Sequence, residues 1–293
     1  MVSSDKISGI ILKCLGGLYT VKSPDGIFEC KARGVFRKIG ISPSVGDNVT
    51  LENGVISEIE ERKNFLIRPP LANLDMIIFI VSTVSPSPNF LILDKFIAIA
   101  EYKKIEPVVI ITKTDLGDSK PVREVYEAIG IKVLEIDYSD GNSIQAVREL
   151  LRGKISAFTG NSGAGKSTLL NAVDPSLNIP TGEISKKLGR GKHTTRHAEL
   201  YELADGGYIA DTPGFSTFET NRYDIIRKEE LAGCFREFDG LTENCRFRDC
   251  SHTCEKGCAV IDAVNSGIIP KIRHESYCAM YDEAKLLKEW ELK

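Results

Sequence analysis

One glycine-rich loop restricts the fold of this chain more than any other feature. The segment Gly160-Asn161-Ser162-Gly163-Ala164-Gly165-Lys166-Ser167 fits the phosphate-binding pattern G-x-x-x-x-G-K-[ST]. The apolar run 155–159 predicts a strand before the loop, and 168–172 predicts a helix after it. In such a loop backbone N–H groups surround phosphate oxygens, the lysine reaches the β- and γ-phosphates, and the serine hydroxyl binds Mg²⁺. This context predicts a nucleotide-binding α/β domain rather than a turn without a ligand.

The chain divides into three regions of different character. Residues 1–63 contain short β-rich runs and turn signals such as Asn53-Gly54, with no helical stretch, which predicts an all-β barrel of the OB type. Such a barrel can bind oligonucleotides or serve as a structural cap, and the strand pattern alone leaves both open. Residues 64–220 alternate strand and helix, which is typical of a parallel sheet with helices on both faces. Residues 221–293 lack this alternation, and Glu283–Lys293 is predicted as a charged helix.

Two further motifs favour GTP over ATP. Asp211-Thr212-Pro213-Gly214 follows an apolar strand and has the D-x-x-G form, in which the carboxylate holds Mg²⁺ and the glycine amide senses the γ-phosphate. Thr112-Lys113-Thr114-Asp115 resembles N-K-x-D, with Thr112 where asparagine is commonest. The Asp115 carboxylate would accept two hydrogen bonds from guanine, and the Lys113 stem would lie over the base. This motif precedes the phosphate loop, so the order is circularly permuted. Tyr138-Ser139 falls where a further guanine-contacting loop is expected.

The candidate nucleotide-binding residues follow from these motifs. They are Thr112, Lys113, Asp115, Asn161, Ser162, Gly163, Ala164, Gly165, Lys166, Ser167, Thr168, Asp211 and Gly214.

The segment between the phosphate loop and Asp211 is expected to hold a switch. Thr195, with Thr194 as the alternative, would complete the Mg²⁺ shell supplied by Ser167 and Asp211 when GTP is bound. The residue after the D-x-x-G glycine is phenylalanine, Phe215, which cannot orient a water molecule. Slow intrinsic hydrolysis is therefore expected, with another group or a partner positioning the water. His193 is the candidate catalytic residue, His197 is a weaker one, and a solvated or RNA-binding loop histidine is the alternative for His193.

Five potential metal donors are concentrated near the C-terminus, namely Cys245, Cys250, His252, Cys254 and Cys258. Tetrahedral zinc takes four ligands, and spacing alone does not decide which donor is spare. Four protein ligands would leave no open position, so a structural zinc is favoured over a catalytic one, and over a group of free thiols.

Composition narrows the class of protein. A net charge of −3 argues against a globally basic nucleic-acid binder but allows local basic faces, such as Lys31, Arg33, Arg37 and Lys38 in the barrel region. A second basic group, Lys186, Lys187, Arg190 and Lys192, falls in the switch segment. The apolar runs are too short to cross a bilayer, and the N-terminus lacks the apolar core of a secretory signal. We expect a cytoplasmic protein without a membrane partner, and a monomer.

Taken together, the motifs resemble the bacterial family of ribosome small-subunit-dependent GTPases called RsgA, YjeQ or YloQ. The resemblance covers essentially the whole chain and is carried by the phosphate loop, Gly191-Lys192-His193-Thr194-Thr195, Asp211 to Gly214 and the cysteine cluster. The family pattern implies Cys245, Cys250, His252 and Cys258 as the ligands of one structural zinc, and it accepts threonine at Thr112. Lys256 stands where the family often has proline.

The resemblance also implies an architecture and an activity. It implies an OB-fold RNA-binding domain at 1–63, a circularly permuted GTPase domain at 64–220 and a mainly α zinc-binding domain at 221–293. The implied protein contacts ribosomal RNA, acts late in maturation of the small subunit and hydrolyses GTP to GDP and phosphate when the subunit stimulates it, with His193 as the catalytic residue. A GTP-gated RNA-binding module with incidental turnover remains the alternative. A P-loop enzyme with another substrate is disfavoured by the T-K-x-D motif.

Overall fold

The computed structural model describes residues 6–38, 40–179, 198–211 and 225–287. The chain forms two units. The first comprises Met1–Ile77, Gln145–Thr159 and Lys166–Phe218. The second comprises Ile78–Ile144, Gly160–Gly165 and Glu219–Lys293. The domain bounds expected from the sequence, at residues 63 and 220, stay predictions.

The described strands are β1 (Lys6–Leu15), β2 (Leu18–Ser23), β3 (Gly26–Ala32), β4 (Asn48–Glu52), β5 (Val55–Ile59), β6 (Phe65–Leu66), β7 (Leu71–Ala72), β8 (Met76–Ser82), β9 (Glu106–Thr112), β10 (Lys132–Glu135), β11 (Ile155–Gly160), β12 (Glu199–Glu202) and β13 (Tyr208–Asp211). The described α-helices are α1 (Val35–Lys38), α2 (Phe90–Tyr102), α3 (Lys120–Ala128), α4 (Gly141–Leu151), α5 (Lys166–Val173), α6 (Lys228–Leu231), α7 (Ala259–Asn265) and α8 (Lys271–Lys285). None of the described helices is long and apolar enough to cross a membrane.

The N-terminal strands close into the predicted barrel. β1 pairs with β2 and β4, β2 with β3, β3 in parallel with β5, and β5 with β4, so the ring has no free edge. Apolar side chains at alternate positions fill it, and Ile11, Val21 and Val49 are fully buried. Asn53 and Gly54 both have positive φ, 54° and 74°, as the hairpin signal between β4 and β5 requires. The expectation of no helix here was wrong in one detail, because α1 forms a single turn between β3 and β4.

Strand β1 belongs to more than the barrel. Its antiparallel pairing with β12 joins the barrel to β13, which in turn runs parallel to β11. The sheet of the first unit therefore has the order β11-β13-β12-β1-β2-β3-β5-β4. The N-terminal strands and the strand that ends at Asp211 thus belong to one continuous sheet.

The second unit contains the neighbouring strands β10, β9 and β8 with helices α2 and α3. β9 and β10 are parallel, as the strand–helix alternation predicts, and Val109, Ile110 and Ile111 of β9 are fully buried. Helix α2 begins after Asn89, whose side chain accepts a hydrogen bond from the backbone N–H of Ile92 and so caps the helix.

The C-terminal region is mainly helical and packs against α2. Phe235, Phe238 and Tyr277 form its aromatic core, with Ala98 of α2 in the same cluster. The helix predicted at 283–293 overlaps the last described helix at 283–285, and residues 288–293 lie outside the described residues. Helix α8 spans Lys271–Lys285 and ends before Leu286, which is 78% exposed. The described helix begins earlier than predicted, because its first turns contain the buried residues Arg273, Ser276 and Tyr277.

Candidate nucleotide-binding and metal sites

Local geometry explains why the phosphate loop needs glycine at its first position. Gly160 has φ of 157°, and a Cβ there would lie 2.5 Å from the backbone oxygen of Ile80. Gly163 and Gly165 also have positive φ, of 82° and 90°. Residues other than glycine rarely adopt these backbone conformations, so the glycines of the sequence pattern stand where the backbone requires them.

Thr112 of the predicted guanine motif braces the phosphate loop directly. Its hydroxyl donates a 2.6 Å hydrogen bond to the carbonyl of Ala164, and the side chain is buried. The shorter threonine therefore makes the link between the two loops in this chain. Because the hydrogen bond is buried, its loss would leave the Ala164 carbonyl without this donor where water cannot readily replace it, which is energetically costly.

The rest of the guanine motif is fixed through backbone groups. Lys113 has φ of 57°, and its ammonium group donates to the carbonyls of Ser85 and Val84 at 2.5 and 3.2 Å. Thr114 donates to the carbonyl of Ile136 at 2.9 Å. Asp115 is exposed, as a carboxylate that receives a ligand from solvent must be. The motif is therefore held rigidly while Asp115 stays accessible.

The first unit contains the predicted phosphate and magnesium residues beyond Gly165. Lys166, Ser167 and Thr168 form the first turn of α5, where the helix dipole favours an anion. β13 ends at Asp211 and lies beside β11, with Ala210 opposite Ala157 in parallel register. The strand that leads into the phosphate loop and the strand that ends at Asp211 are thus direct neighbours.

Several predicted site residues lie outside the described residues. They are His193, Thr194, Thr195, His197, Gly214 and Phe215, together with the basic group from Lys186 to Lys192.

Four of the five C-terminal metal donors come together. The ligand atoms of Cys245, Cys250, His252 and Cys258 all lie within 4.8 Å of one another. Nδ1 of His252 is 3.5 and 3.4 Å from the sulfurs of Cys245 and Cys258, and those sulfurs are 3.8 Å apart. A tetrahedral zinc ion, with bonds of ~2.3 Å to sulfur and ~2.0 Å to nitrogen, sets its ligands about 3.5 to 3.8 Å apart. The donor set fits zinc in both chemistry and spacing.

The surroundings of the cluster keep these donors in place. Tyr277 donates to the carbonyl of Ser251 at 2.8 Å, and His274 Nε2 lies 2.7 Å from the carbonyl of His252. Burial lowers the pKa of His252, which keeps the imidazole neutral, as metal binding needs. Burial would raise the pKa of Glu255, but hydrogen bonds from Ser251 and nearby backbone groups outweigh it and lower the pKa to about 2.

The fifth donor, Cys254, is exposed and is not part of the cluster. The turn between His252 and Cys258 directs it away, with His252 in the left-handed region at φ of 59°. Spacing could not choose the spare donor because the choice depends on this turn.

One of the basic residues proposed for the barrel surface is already paired. The Arg33 guanidinium donates to the Glu52 carboxylate, whereas Lys31 and Lys38 are exposed. The barrel's positive face is therefore weaker than the sequence alone suggests.

The comparisons with known proteins identify the family. A family model described as RsgA GTPase matches residues 59–221, and one described as RsgA N-terminal domain matches residues 8–57. The chain belongs to the RsgA GTPase family. Membership makes it a GTP-hydrolysing enzyme, as the motifs predicted.

Relatives along the whole length support the assignment. The small ribosomal subunit biogenesis GTPase RsgA of Geobacillus sp. (strain WCH70) is 45% identical over 288 residues, which cover 94% of this chain and 97% of the relative. The protein of the same name from Caldanaerobacter subterraneus subsp. tengcongensis is 45% identical over 289 residues, which cover 96% of this chain and 97% of the relative.

Two solved structures share the fold. YjeQ from Thermotoga maritima superposes with a TM-score of 0.81 at 35% identity, and the match covers 97% of this chain and 100% of the YjeQ chain. YloQ, described as a circularly permuted GTPase, gives a TM-score of 0.78 at 35% identity, covering 96% of both chains. The predicted fold class, a barrel followed by a permuted GTPase domain and a helical C-terminal region, is confirmed.

Sequence reasoning missed two ion pairs that join distant parts of the chain. The buried Arg273 ion-pairs with Asp94 of α2 and with Glu237, linking the C-terminal region to the GTPase helix. Lys13 of β1 ion-pairs with Glu199 of β12. Neither pair leaves a local sequence signal, because the partners lie 179 and 186 positions apart.

Proposed function

We propose that this protein binds the small ribosomal subunit, assists its late maturation and hydrolyses GTP when the subunit stimulates it. The observation that carries the GTP part is the hydrogen bond from Thr112 to Ala164, which joins the predicted guanine motif to the phosphate loop. The role of the small ribosomal subunit is supported by relatives at 45% identity, which are named small ribosomal subunit biogenesis GTPases.

Each candidate residue receives a role in this proposal. Backbone N–H groups of Asn161 to Thr168 and the Lys166 ammonium would hold the phosphates, and Asp115 would accept from N1–H and the exocyclic amine of guanine. Ser167, Asp211 and Thr195 would hold Mg²⁺, which neutralises charge on the β- and γ-phosphate oxygens. The Gly214 amide would sense the γ-phosphate.

Hydrolysis depends on how the attacking water is positioned. Phe215 offers no polar group for this, so turnover by the isolated protein should be slow. We assign the water-positioning role to His193, which the subunit would bring into place. An imidazole can accept the water's proton near neutral pH, and such a contribution amounts to about 10² to 10⁴ in rate.

The other two regions would provide the ribosomal interface. The closed barrel resembles folds that bind oligonucleotides, and Lys31 and Lys38 are free to approach phosphate groups of ribosomal RNA. One zinc ion held by Cys245, Cys250, His252 and Cys258 would stabilise the C-terminal region without taking part in chemistry. The protein would work as a cytoplasmic monomer, without a membrane partner.

The alternative is a GTP-gated RNA-binding module whose turnover is incidental. Both proposals require GTP-dependent association of the protein with the small subunit. The decisive experiment therefore measures whether GTP hydrolysis releases the protein from the subunit. Purified small subunits are sedimented with the protein in GTP, in GDP and in a non-hydrolysable GTP analogue. The GTPase proposal expects retention with the analogue and release as GTP is consumed.

The variant His193→Ala separates the two proposals further. It should bind GTP and subunits as the wild type does, yet remain bound in GTP because hydrolysis is slowed by about 10²-fold or more. Release of His193→Ala at the wild-type rate in GTP would favour the binding-module alternative and would remove His193 from the catalytic role.

A further inference from the structure

The segment 83–86, which follows β8, is hydrogen-bonded to the predicted guanine motif. The Thr83 hydroxyl donates to the backbone carbonyl of Lys113 at 2.5 Å. In the opposite direction, the Lys113 ammonium donates to the carbonyls of Val84 and Ser85 at 3.2 and 2.5 Å. Lys113 is therefore held both at its backbone and at the end of its side chain by one short segment from outside the motif.

The carbonyl of Lys113 also closes the turn that carries Asp115. It accepts a second hydrogen bond, of 3.0 Å, from the backbone N–H of Leu116. This bond between the first and fourth residues makes Thr114 and Asp115 the central residues of a β-turn. The orientation of the Lys113 carbonyl therefore sets where the turn places Asp115, and the Thr83 hydroxyl fixes this carbonyl from outside the turn.

The backbone of Lys113 has a conformation that needs such support. Its φ of 57° lies in the left-handed region, which residues other than glycine rarely adopt. Conformations of this kind cost free energy and persist only where the surrounding structure holds them. Thr83 supplies a hydrogen bond at the carbonyl of this residue, and Thr114 is fixed from another side by its bond to the carbonyl of Ile136.

The turn also packs closely against the segment 83–86. A Cβ at Gly117 would lie 2.8 Å from Cγ1 of Val84 and 3.1 Å from Cβ and Oγ1 of Thr83. Both neighbouring side chains are β-branched and stiff about χ1, so neither can move aside easily. The absence of a side chain at Gly117 therefore lets the turn approach Thr83 closely enough for the hydrogen bond to Lys113.

We propose that Thr83 is a positioning residue for guanine recognition, because its hydroxyl holds the turn that presents Asp115 to the base. The inference rests on the proposed function in one respect, namely that Asp115 binds guanine. It adds a specificity determinant from outside the T-K-x-D motif, since Thr83 lies 30 positions before Lys113. A general brace of the fold would affect all nucleotides alike, whereas a residue that aims Asp115 affects most the base that depends most on the carboxylate.

Guanine and hypoxanthine differ at one group that the Asp115 carboxylate would bind. Both bases present N1–H, but hypoxanthine lacks the exocyclic amine. GTP would therefore donate to the carboxylate through both groups, and ITP through N1–H alone. Because the two nucleotides have the same ribose and phosphates, the ratio of their affinities reports on the geometry of Asp115 and cancels effects on the rest of the site.

The test measures binding of GTP and of ITP to the full-length protein by titration calorimetry, without ribosomal subunits. Thr83→Val removes the hydroxyl and keeps the side-chain volume. It should weaken GTP binding about fivefold, the effect of one net hydrogen bond, and ITP binding by less than about twofold. Thr83→Ser retains the hydroxyl and should keep both affinities within about twofold of the wild type.

Ser266→Ala is the matched control. The Ser266 hydroxyl also donates to a backbone carbonyl, that of Ala263 at 3.0 Å, but in the C-terminal region. Its loss should leave the affinities for GTP and ITP unchanged. Circular dichroism checks that each variant is folded. If Thr83→Val does not fold, Gly117→Ala takes its place, because the added Cβ pushes the turn away from Val84 and should lower the preference for GTP in the same direction.

Asp115→Asn, measured in parallel, separates this inference from the proposed function. If it leaves the preference for GTP over ITP unchanged, Asp115 does not bind the base, and the proposed guanine site is wrong together with the role of Thr83. If Asp115→Asn lowers the preference while Thr83→Val does not, only the positioning role of Thr83 is wrong. Equal weakening of GTP and ITP binding by Thr83→Val would also overturn that role, since a general loss of support gives this result.

Discussion

Arg273 offers the sharpest test of how the C-terminal region is attached to the GTPase helix. Its side chain is fully buried and ion-pairs with Asp94, which is also fully buried, and with Glu237, whose side chain is 5% exposed. Tyr126 donates a 2.9 Å hydrogen bond to the same Asp94 oxygen. Replacing Arg273 with methionine keeps much of the side-chain volume but leaves two carboxylates without their cation.

The expected cost follows from burial. Removing one partner of a buried ion pair destabilises by about 3 to 5 kcal/mol, chiefly because the other charge stays buried and uncompensated. At the lower end, local opening of α2 and α8 would become about 3 kcal/mol easier, and their amides would exchange with solvent roughly 100-fold faster. Hydrogen exchange of peptides from these helices is the suitable assay because it needs no two-state unfolding of the whole chain.

The effect should depend on pH with a defined sign. Burial raises the pKa of Asp94, and attraction to Arg273 opposes the rise, so loss of Arg273 raises the pKa further. The folded chain then binds the Asp94 proton more tightly than the unfolded chain does. Stability therefore falls as the pH rises from the unfolded pKa through the higher folded pKa. The penalty of Arg273→Met should be smaller at pH 5 than at pH 8.

Arg236→Met is the matched control for this prediction. Arg236 also pairs with α2, through Glu101, but the two side chains are 24% and 19% exposed. In the same hydrogen-exchange measurement, Arg236→Met should lower the free energy of local opening by about 1 kcal/mol or less. If Arg273→Met exchanged no faster than Arg236→Met, the buried network would not be what secures α8 to α2.

Three further changes test the two candidate sites. Asp115→Asn should weaken GTP binding by about tenfold or more and favour xanthosine triphosphate, whose C2 oxygen can accept from the new amide, in competition binding. Thr112→Val should weaken GTP binding by about tenfold in titration calorimetry, because the Ala164 carbonyl loses its buried donor. Measured by native mass spectrometry, Cys258→Ser should bind no zinc, whereas Cys254→Ser should bind one zinc ion per chain as the wild type is expected to.

Local features of the fold were predictable because local sequence determines them. Asn53 and Gly54 are residue types that readily adopt positive φ, and both do so in the hairpin turn between β4 and β5. The phosphate loop is equally local, since Gly160 must be glycine where its backbone passes Ile80. Alternating strands and helices predicted the parallel pairing of β9 with β10.

The features that escaped prediction are the non-local ones. The β1–β12 pairing depends on which strand edges meet, and no short-range pattern encodes this. The Arg273–Asp94 pair joins residues 179 positions apart, and each reads in sequence as an ordinary charged helix residue. Cys254 is separated from the metal donors by the geometry of a turn, and the spacing of the cysteines in the sequence does not reveal that geometry. In each case three-dimensional placement, rather than residue type, gives the side chain its role.

Phosphate release from GTP, measured with and without purified small ribosomal subunits, tests the central claim most directly. The wild-type protein should turn over slowly alone, since Phe215 supplies no water-positioning group, and about 10²-fold faster or more with subunits present. A protein that binds GTP but hydrolyses it at the same rate with and without subunits would contradict the account.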